Sequence, residues 1–228
     1  MVITIDGPAG AGKSTVAKEL ARRLRFSYLD TGAMYRALTL KALEKNVDLN
    51  DEKALVDLAG QTAIDLKTDE QHKLKVFLDG RDVTVAIRSL KVTNQTFHIA
   101  RQPSVREILV GWQRQIGQKG NFVVEGRDAG TVIFPQAAKK FYLDADFKER
   151  ARRRIKDLRA QEESVDESAL KKELKDRDEK DLTRAVGPLK KADDAVLIDS
   201  TRLTVDQVVE KMLRYLKRSG LDKGRLVW

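Results

Sequence analysis

Gly7-Pro8-Ala9-Gly10-Ala11-Gly12-Lys13-Ser14 lies between an apolar run, Val2-Ile3-Thr4-Ile5, and a stretch with Val16, Leu20 and Leu24 at helical spacing. Those eight residues match G-x-x-x-x-G-K-[ST], a phosphate-binding loop between a strand and a helix. The glycines let the backbone curl so that successive N–H groups face inward, and the following helix adds the positive end of its dipole. In that geometry Lys13 reaches the β- and γ-phosphates of a nucleoside triphosphate and the Ser14 hydroxyl ligates Mg²⁺. The expected ATP site is therefore Gly7, Pro8, Ala9, Gly10, Ala11, Gly12, Lys13, Ser14 and Thr15.

Outward from the loop, strand patterns alternate with helical ones. Expected strands are Val2–Ile5, Phe26–Leu29, Phe122–Val124, Phe141–Leu143 and Ala195–Ile198. Expected helices cover Lys13 to about Leu24, Ala33 to about Lys45 and Asp51–Ala63 with Asn50 as its cap. Others run from near Lys91, from Pro103 to about Gln118, through the basic stretch after Lys148, over Glu167–Lys180, and from Thr204 to Arg218. Such alternation implies an α/β fold, a P-loop core with a mostly parallel five-stranded sheet covered by helices on both faces. Residues Ile64 to Ile87 change character: the apolar run Lys73–Leu78, the Asp79-Gly80 turn and Val83-Thr84-Val85 read as a small antiparallel insert. Glu167–Lys180 is almost entirely charged, so a mobile, poorly packed helix is expected there. Leu221 to Trp228 shows no clear period.

The chain has 228 residues, 41% hydrophobic and 35% charged, which suits one globular domain with a sizeable core. It contains no cysteine, which excludes disulfides, thiolate metal sites and cysteine nucleophiles. A strand beginning at Val2 leaves no room for a signal peptide, and no apolar run has membrane-spanning length; a cytoplasmic protein is expected. The 44 Lys+Arg against 35 Asp+Glu give a net charge of +9, compatible with nucleic acid, an anionic surface or a phosphorylated substrate. Lys148–Arg159 alone carries seven basic and two acidic residues. Aromatic residues make up only 6% of the chain and none interleave that run, so a stacking platform for single strands is poorly supported.

A phosphate loop alone does not separate a GTPase, an ATP-driven machine and a small-molecule kinase. Phosphoryl transfer between two anions needs cations from several directions. Arg36, Arg106, Arg127 and Arg184 each stand beside an expected strand end, helix start or Gly/Pro-containing loop, and are the candidates.

Four blocks carry a more specific likeness: Gly7–Ser14, Leu29-Asp30-Thr31-Gly32-Ala33-Met34-Tyr35-Arg36, Glu125-Gly126-Arg127-Asp128-Ala129-Gly130-Thr131-Val132-Ile133-Phe134-Pro135, and Arg177 through Val186. In this order they closely resemble the bacterial cytidylate kinases, from Val2 to about Leu216. The resemblance implies transfer of the γ-phosphoryl of ATP to CMP or dCMP with Mg²⁺. It also implies one domain over residues 1–228, with a core (1–63, 91–150 and 190–220), an insert for the nucleoside monophosphate at about 64–90 and a lid at about 151–189. Lys13, Arg127 and Arg184 are implied as the catalytic cations, with Arg36 and Arg127 on the CMP phosphate. Thr31 and Tyr35 are implied in the monophosphate site, Arg106 and Asp128 at the cytosine edge, and Arg177 with Asp181 on the sugar. A carboxylate at position 128 suits cytosine, whose exocyclic amine donates where uracil has no donor. Arg150, Arg153 and Arg154 are implied near ATP phosphates or lid acids, and Glu125 through a water of the Mg²⁺ shell. Family members place a hydroxyl residue where this chain has Phe97; Thr93 lies one turn earlier on the same face.

The expected partners are ATP and CMP or dCMP, without nucleic acid or membrane, and the expected state is a monomer. The alternatives are a broader UMP/CMP kinase, a kinase for a metabolite hydroxyl, which needs a general base this pattern does not supply, and a P-loop nucleic-acid-binding protein or nucleotide switch. The last leaves Asp30–Arg36 and Gly126–Pro135 unexplained.

Overall fold

Val2–Asp6 (β1) is the centre of a five-stranded parallel sheet, and its Ile3, Thr4 and Ile5 are fully buried, as a strand covered on both faces requires. The computed structural model describes residues 1–68, 74–160 and 166–221. The sheet order is β2-β6-β1-β7-β8, with β2 at Ser27–Asp30, β6 at Phe122–Gly126, β7 at Lys139–Asp144 and β8 at Val196–Asp199. On one face, Ile3, Ile5, Val123 and Phe141 pack with Val16 and Leu20 of α1 (Lys13–Leu24) and with Val208, Val209 and Met212 of α8 (Val205–Arg218). On the other, Leu29 and Val124 pack with α2 (Thr31–Glu44), α3 (Glu52–Gly60) and α5 (Pro103–Gln118).

Local chemistry sets the element ends. Gly10 and Gly12 have φ of 76° and 89°, left-handed values that favour glycine, so the chain can turn sharply out of β1 and into α1. Asp30 closes β2 and caps α2, accepting the Ala33 N–H at 3.0 Å. Thr204 and Gln207 form a reciprocal capping box at the start of α8.

The insert is a three-stranded antiparallel sheet of β3 (Ile64–Thr68), β4 (Leu74–Leu78) and β5 (Arg81–Asp82), turning through Asp79 and Gly80 with positive φ at both. Leu74, Val76 and Leu78 alternate inward onto the first core, so the insert is anchored rather than appended. Ala86–Arg88 forms a single 3₁₀ turn before α4 (Leu90–Ala100). The expected strand at Val83-Thr84-Val85 is absent. The Thr84 hydroxyl instead accepts the Val76 N–H at 2.9 Å and its own N–H donates to Asp82, bending the chain.

Two further expectations are corrected, the cap of α3 and the poor packing of the charged helix. Helix α3 starts at Glu52 with Asp51, not Asn50, as cap; the Asn50 carboxamide oxygen accepts from Arg101 instead. The Gly126–Pro135 block contains a π-helical turn, Ala129–Ile133, that no periodicity signalled. The charged helix α7 (Glu167–Thr183) has two buried anchors: Leu170 packs on Ile155 and Leu158 of α6 (Phe147–Arg159), and Leu174 on Ala9, Phe147 and Ala151. Helix α6 runs without a break across residue 151. Of the segments singled out in the sequence, residues 69–73 of the insert, 161–165 of the expected lid and 222–228 lie outside the described residues.

Candidate active site

Acidic side chains stand at or next to the carboxyl end of every parallel strand: Asp6, Asp30, Glu125, Asp144 and Asp199. That edge is where open α/β sheets bind ligands, and above it opens a cleft of about 1420 Å³. Ala9 through Thr15 line one end of it, and Thr31, Tyr35, Arg36, Arg106, Arg127, Asp128, Arg177, Asp181 and Arg184 line the other. The donor-loop and acceptor residues expected from the sequence thus meet in one cavity. Gly7 and Pro8 shape the loop from behind: a Cβ at Gly7 would sit 2.0 Å from the Leu143 carbonyl oxygen, and the Pro8 carbonyl accepts from Lys13 at 2.7 Å.

Lys13 is buried, and that burial, helped by the nearby Arg127 guanidinium, brings its amine down to about 7. Glu125 is buried beside it; burial and the neighbouring Asp30 push its carboxyl up, while Lys13 and the Ser14 and Tyr28 hydroxyls pull it back down. Ser14 and Glu125 form an all-oxygen pair next to the phosphate loop, and the oxygen-seeking Mg²⁺ fits such a pair when phosphate and water complete its shell. No cluster of three metal-binding side chains exists among the described residues.

The acceptor end is a network of arginines and carboxylates. Arg106, 2% exposed, pairs with Asp128, and the Arg184 guanidinium lies 3.3 Å from the other oxygen of that carboxylate. Arg127 donates to Asp181 at 2.7 Å and Arg36 to Asp30 at 2.7 Å. Asp30 and Asp181 stay below the usual carboxylate range: burial raises each, but Arg36 and Arg88 outweigh it at Asp30, and Arg127 and Arg177 at Asp181. Arg177 is brought down to about 10 by burial and by Arg127. The Tyr35 hydroxyl, Arg36 Nε and Arg106 Nε are buried without a hydrogen-bond partner among the described residues. Buried donors of this kind are costly unless something binds them, and all three belong to residues that line the cleft.

The Thr31 hydroxyl donates to the Glu125 carbonyl, so it braces the strand end while lining the cleft. Phe97 also lines the cleft, with the Lys180 ammonium 5.4 Å from its ring centroid. Thr93 and Thr96 line it too, although the Thr96 hydroxyl is occupied by the Val92 carbonyl. The basic stretch turns inward more than a solvated face would. Arg150 donates to the Ala9 carbonyl at 3.1 Å and pairs with Asp178 of α7, and Arg153 donates to the Ala11 carbonyl and to Ser200. Arg154 lines the cleft.

Tyr28, Arg88 and Asp6 were not singled out in the sequence. The Tyr28 hydroxyl donates to Glu125. Arg88, from the 3₁₀ turn of the insert, lines the cleft and helps hold Asp30 ionised. Asp6 lies behind the Gly126–Pro135 block. For Asp6 the available signal was position, a carboxylate at the end of a buried strand; Tyr28 and Arg88 had no sequence signal beyond residue type.

Comparison with known proteins agrees with this architecture. The chain is 49% identical over 216 residues to the cytidylate kinase of Desulforamulus reducens, covering 95% of this chain and 96% of that protein. It is 51% identical over 211 residues to that of Pelotomaculum thermopropionicum, covering 92% and 93%. Among solved structures, an uncharacterized protein from Eubacterium ventriosum shares the fold with a TM-score of 0.51 at 15% identity, over 96% of this chain and 98% of that one. The sequence pattern of the cytidylate kinase family matches residues 3–218, and the chain belongs to that family.

Proposed function

We propose that the protein transfers the γ-phosphoryl group of ATP to CMP or dCMP, releasing ADP and the corresponding diphosphate. The observation that carries the reading is the single cleft joining a phosphate loop to an arginine-rich pocket in which Tyr35 Oη, Arg36 Nε and Arg106 Nε are unpartnered among the described residues. The named relatives support it.

The loop amides and Lys13 hold the donor phosphates. Arg36 and Arg127 hold the acceptor phosphate, Asp128 with Arg106 reads the base, and Arg177 with Asp181 contacts the sugar. The acceptor phosphate is already an anion, so no general base is needed, and alignment plus charge stabilisation drive the step. Ser14, and Glu125 through a water, would hold Mg²⁺, which would supply charge neutralisation on the transferring group when bound. Arg184 follows α7 in sequence and contacts Asp128 in the structure; movement of this segment onto bound nucleotides would carry its guanidinium toward the reacting phosphates. Residues 64–90 form the acceptor-side insert and 151–189 the lid.

Phe97 favours a second reading, a broader pyrimidine kinase, because it puts a ring rather than a hydroxyl on the cleft wall. ADP release with Mg²⁺-ATP across CMP, dCMP, UMP, AMP and GMP, with Lys13→Ala as control, tests both. CMP and dCMP well above the rest supports the first reading. Equal CMP and UMP rates support the second, and no activity with any acceptor overturns both.

A further inference from the structure

Asp6 ends β1 and immediately precedes Gly7, yet it does not line the cleft. Its carboxylate is buried and fully used: Oδ1 accepts the Ala129 N–H at 2.8 Å and Oδ2 accepts the Gly130 N–H at 2.7 Å. These two amides open the π-helical turn Ala129–Ile133, directly after Arg127 and Asp128. Amides in the first turn of a helix need acceptors, and the residue before the turn ordinarily offers its own side chain. Here that residue is Asp128, and its side chain makes no cap; it faces Arg106 and Arg184 instead.

We propose, on the kinase reading above, that Asp6 is a positioning residue that takes over the capping of this turn from β1, frees the Asp128 carboxylate for the acceptor base, and locks the acceptor loop to the phosphate-donor loop. The backbone is shaped for the contact. A Cβ at Gly130 would lie 2.8 Å from the Thr4 hydroxyl and 3.2 Å from Asp6 Oδ2, and one at Gly126 would lie 2.7 Å from the Thr31 hydroxyl. The β1–β6 ladder sets Asp6 opposite Gly126, so the carboxylate spans the gap where β6 leaves the sheet. The rigid path from the donor loop to the base-reading carboxylate is then Gly7, Asp6, the Ala129 and Gly130 amides, and Asp128. Misplacement of a substrate by about 1 Å can cost about 10²-fold in rate, so this strut matters to chemistry it never touches.

Asp6→Asn leaves one acceptor oxygen and turns an NH₂ against a backbone N–H. Gly130→Ala leaves Asp6 intact and crowds the same contact from the loop side. Steady-state kinetics with CMP, UMP and ATP, and calorimetric titration with CMP alone and with ADP alone, read the effect. For both variants we expect KM and Kd for CMP to rise roughly tenfold or more, a smaller preference for CMP over UMP, and ADP affinity within about threefold of the parent, since the Asp128→loop geometry alone is disturbed. Parallel loss of CMP and ADP binding, or a lowered Tm with unchanged CMP affinity and preference, overturns the positioning role and leaves Asp6 as a general brace. If Asp6→Asn does not fold, Gly130→Ala decides alone, and wild-type CMP affinity in it overturns the proposal. A parent protein that binds ADP but not CMP overturns the kinase reading and this proposal together.

Discussion

Lys13 shows how the site sets function against stability. Its amine falls from its ordinary 10.5 to about 7, chiefly through burial. Below about pH 7 it is charged in both folded and unfolded chains, and the full cost of burying the charge weighs on the fold. Between about 7 and 10.5 the unfolded chain holds the extra proton, so stability rises with pH. Lys13→Met should therefore abolish turnover yet raise the Tm of the ligand-free protein, by roughly 2–4 °C for each kcal/mol recovered. The gain should be largest below pH 7 and fade toward pH 10.5; thermal melts across that range check it, and a lowered Tm at pH 6 would refute the assignment. At Asp128 the prediction concerns specificity. Asp128→Asn presents an NH₂ that can donate to the O4 of uracil, and should reduce the CMP-over-UMP ratio of kcat/KM by about tenfold or more. An unchanged ratio removes Asp128 from base reading.

Helix α7 and the arginine that follows it form the element most exposed to functional movement. Two leucines anchor the helix, and its remaining ties to the rest of the site are ion pairs such as Arg150–Asp178 and Arg127–Asp181. Leu174→Ala should weaken docking by about 2 kcal/mol. Hydrogen exchange should then quicken over 167–183 while β1 stays protected, with a fall in kcat; equal loss of protection in β1 would show that α7 folds as one unit with the sheet. Arg184→Ala should lower kcat by roughly 10²-fold or more while changing KM for CMP far less. Equal effects on both would place Arg184 in ground-state binding and overturn its role at the transferring group. The charged composition of α7 was plain in the sequence. Its anchoring was not, because three leucines in a helix of seventeen make a weak periodic signal, and only the surfaces of α6 and the phosphate loop show that Leu170 and Leu174 are covered.

At the scale of the whole molecule, the cleft gathers cations that repel one another until phosphates arrive, so ligands should stabilise the fold strongly. Saturation at a hundred times Kd is worth about 2.7 kcal/mol, a rise in Tm of roughly 5–10 °C for a chain of this size. ADP and CMP added together should exceed either alone, and the absence of any shift would argue against this cleft as the nucleotide site. Much of this arrangement was legible in the residues themselves. The phosphate loop declares itself because glycine, lysine and serine at fixed spacing are local requirements of backbone conformation and charge. The parallel sheet declares itself because buried strands read as apolar runs and helices as a 3.6-residue period. Residue type and place also marked Arg36, Arg106, Arg127 and Arg184 as candidates, and the family resemblance added Asp128. Tertiary structure alone decided how they pair, Arg106 and Arg184 with Asp128 and Arg127 with Asp181, and that Asp6 holds the acceptor loop from 123 residues away. Those choices depend on distance and burial between groups remote in sequence, which no local propensity encodes.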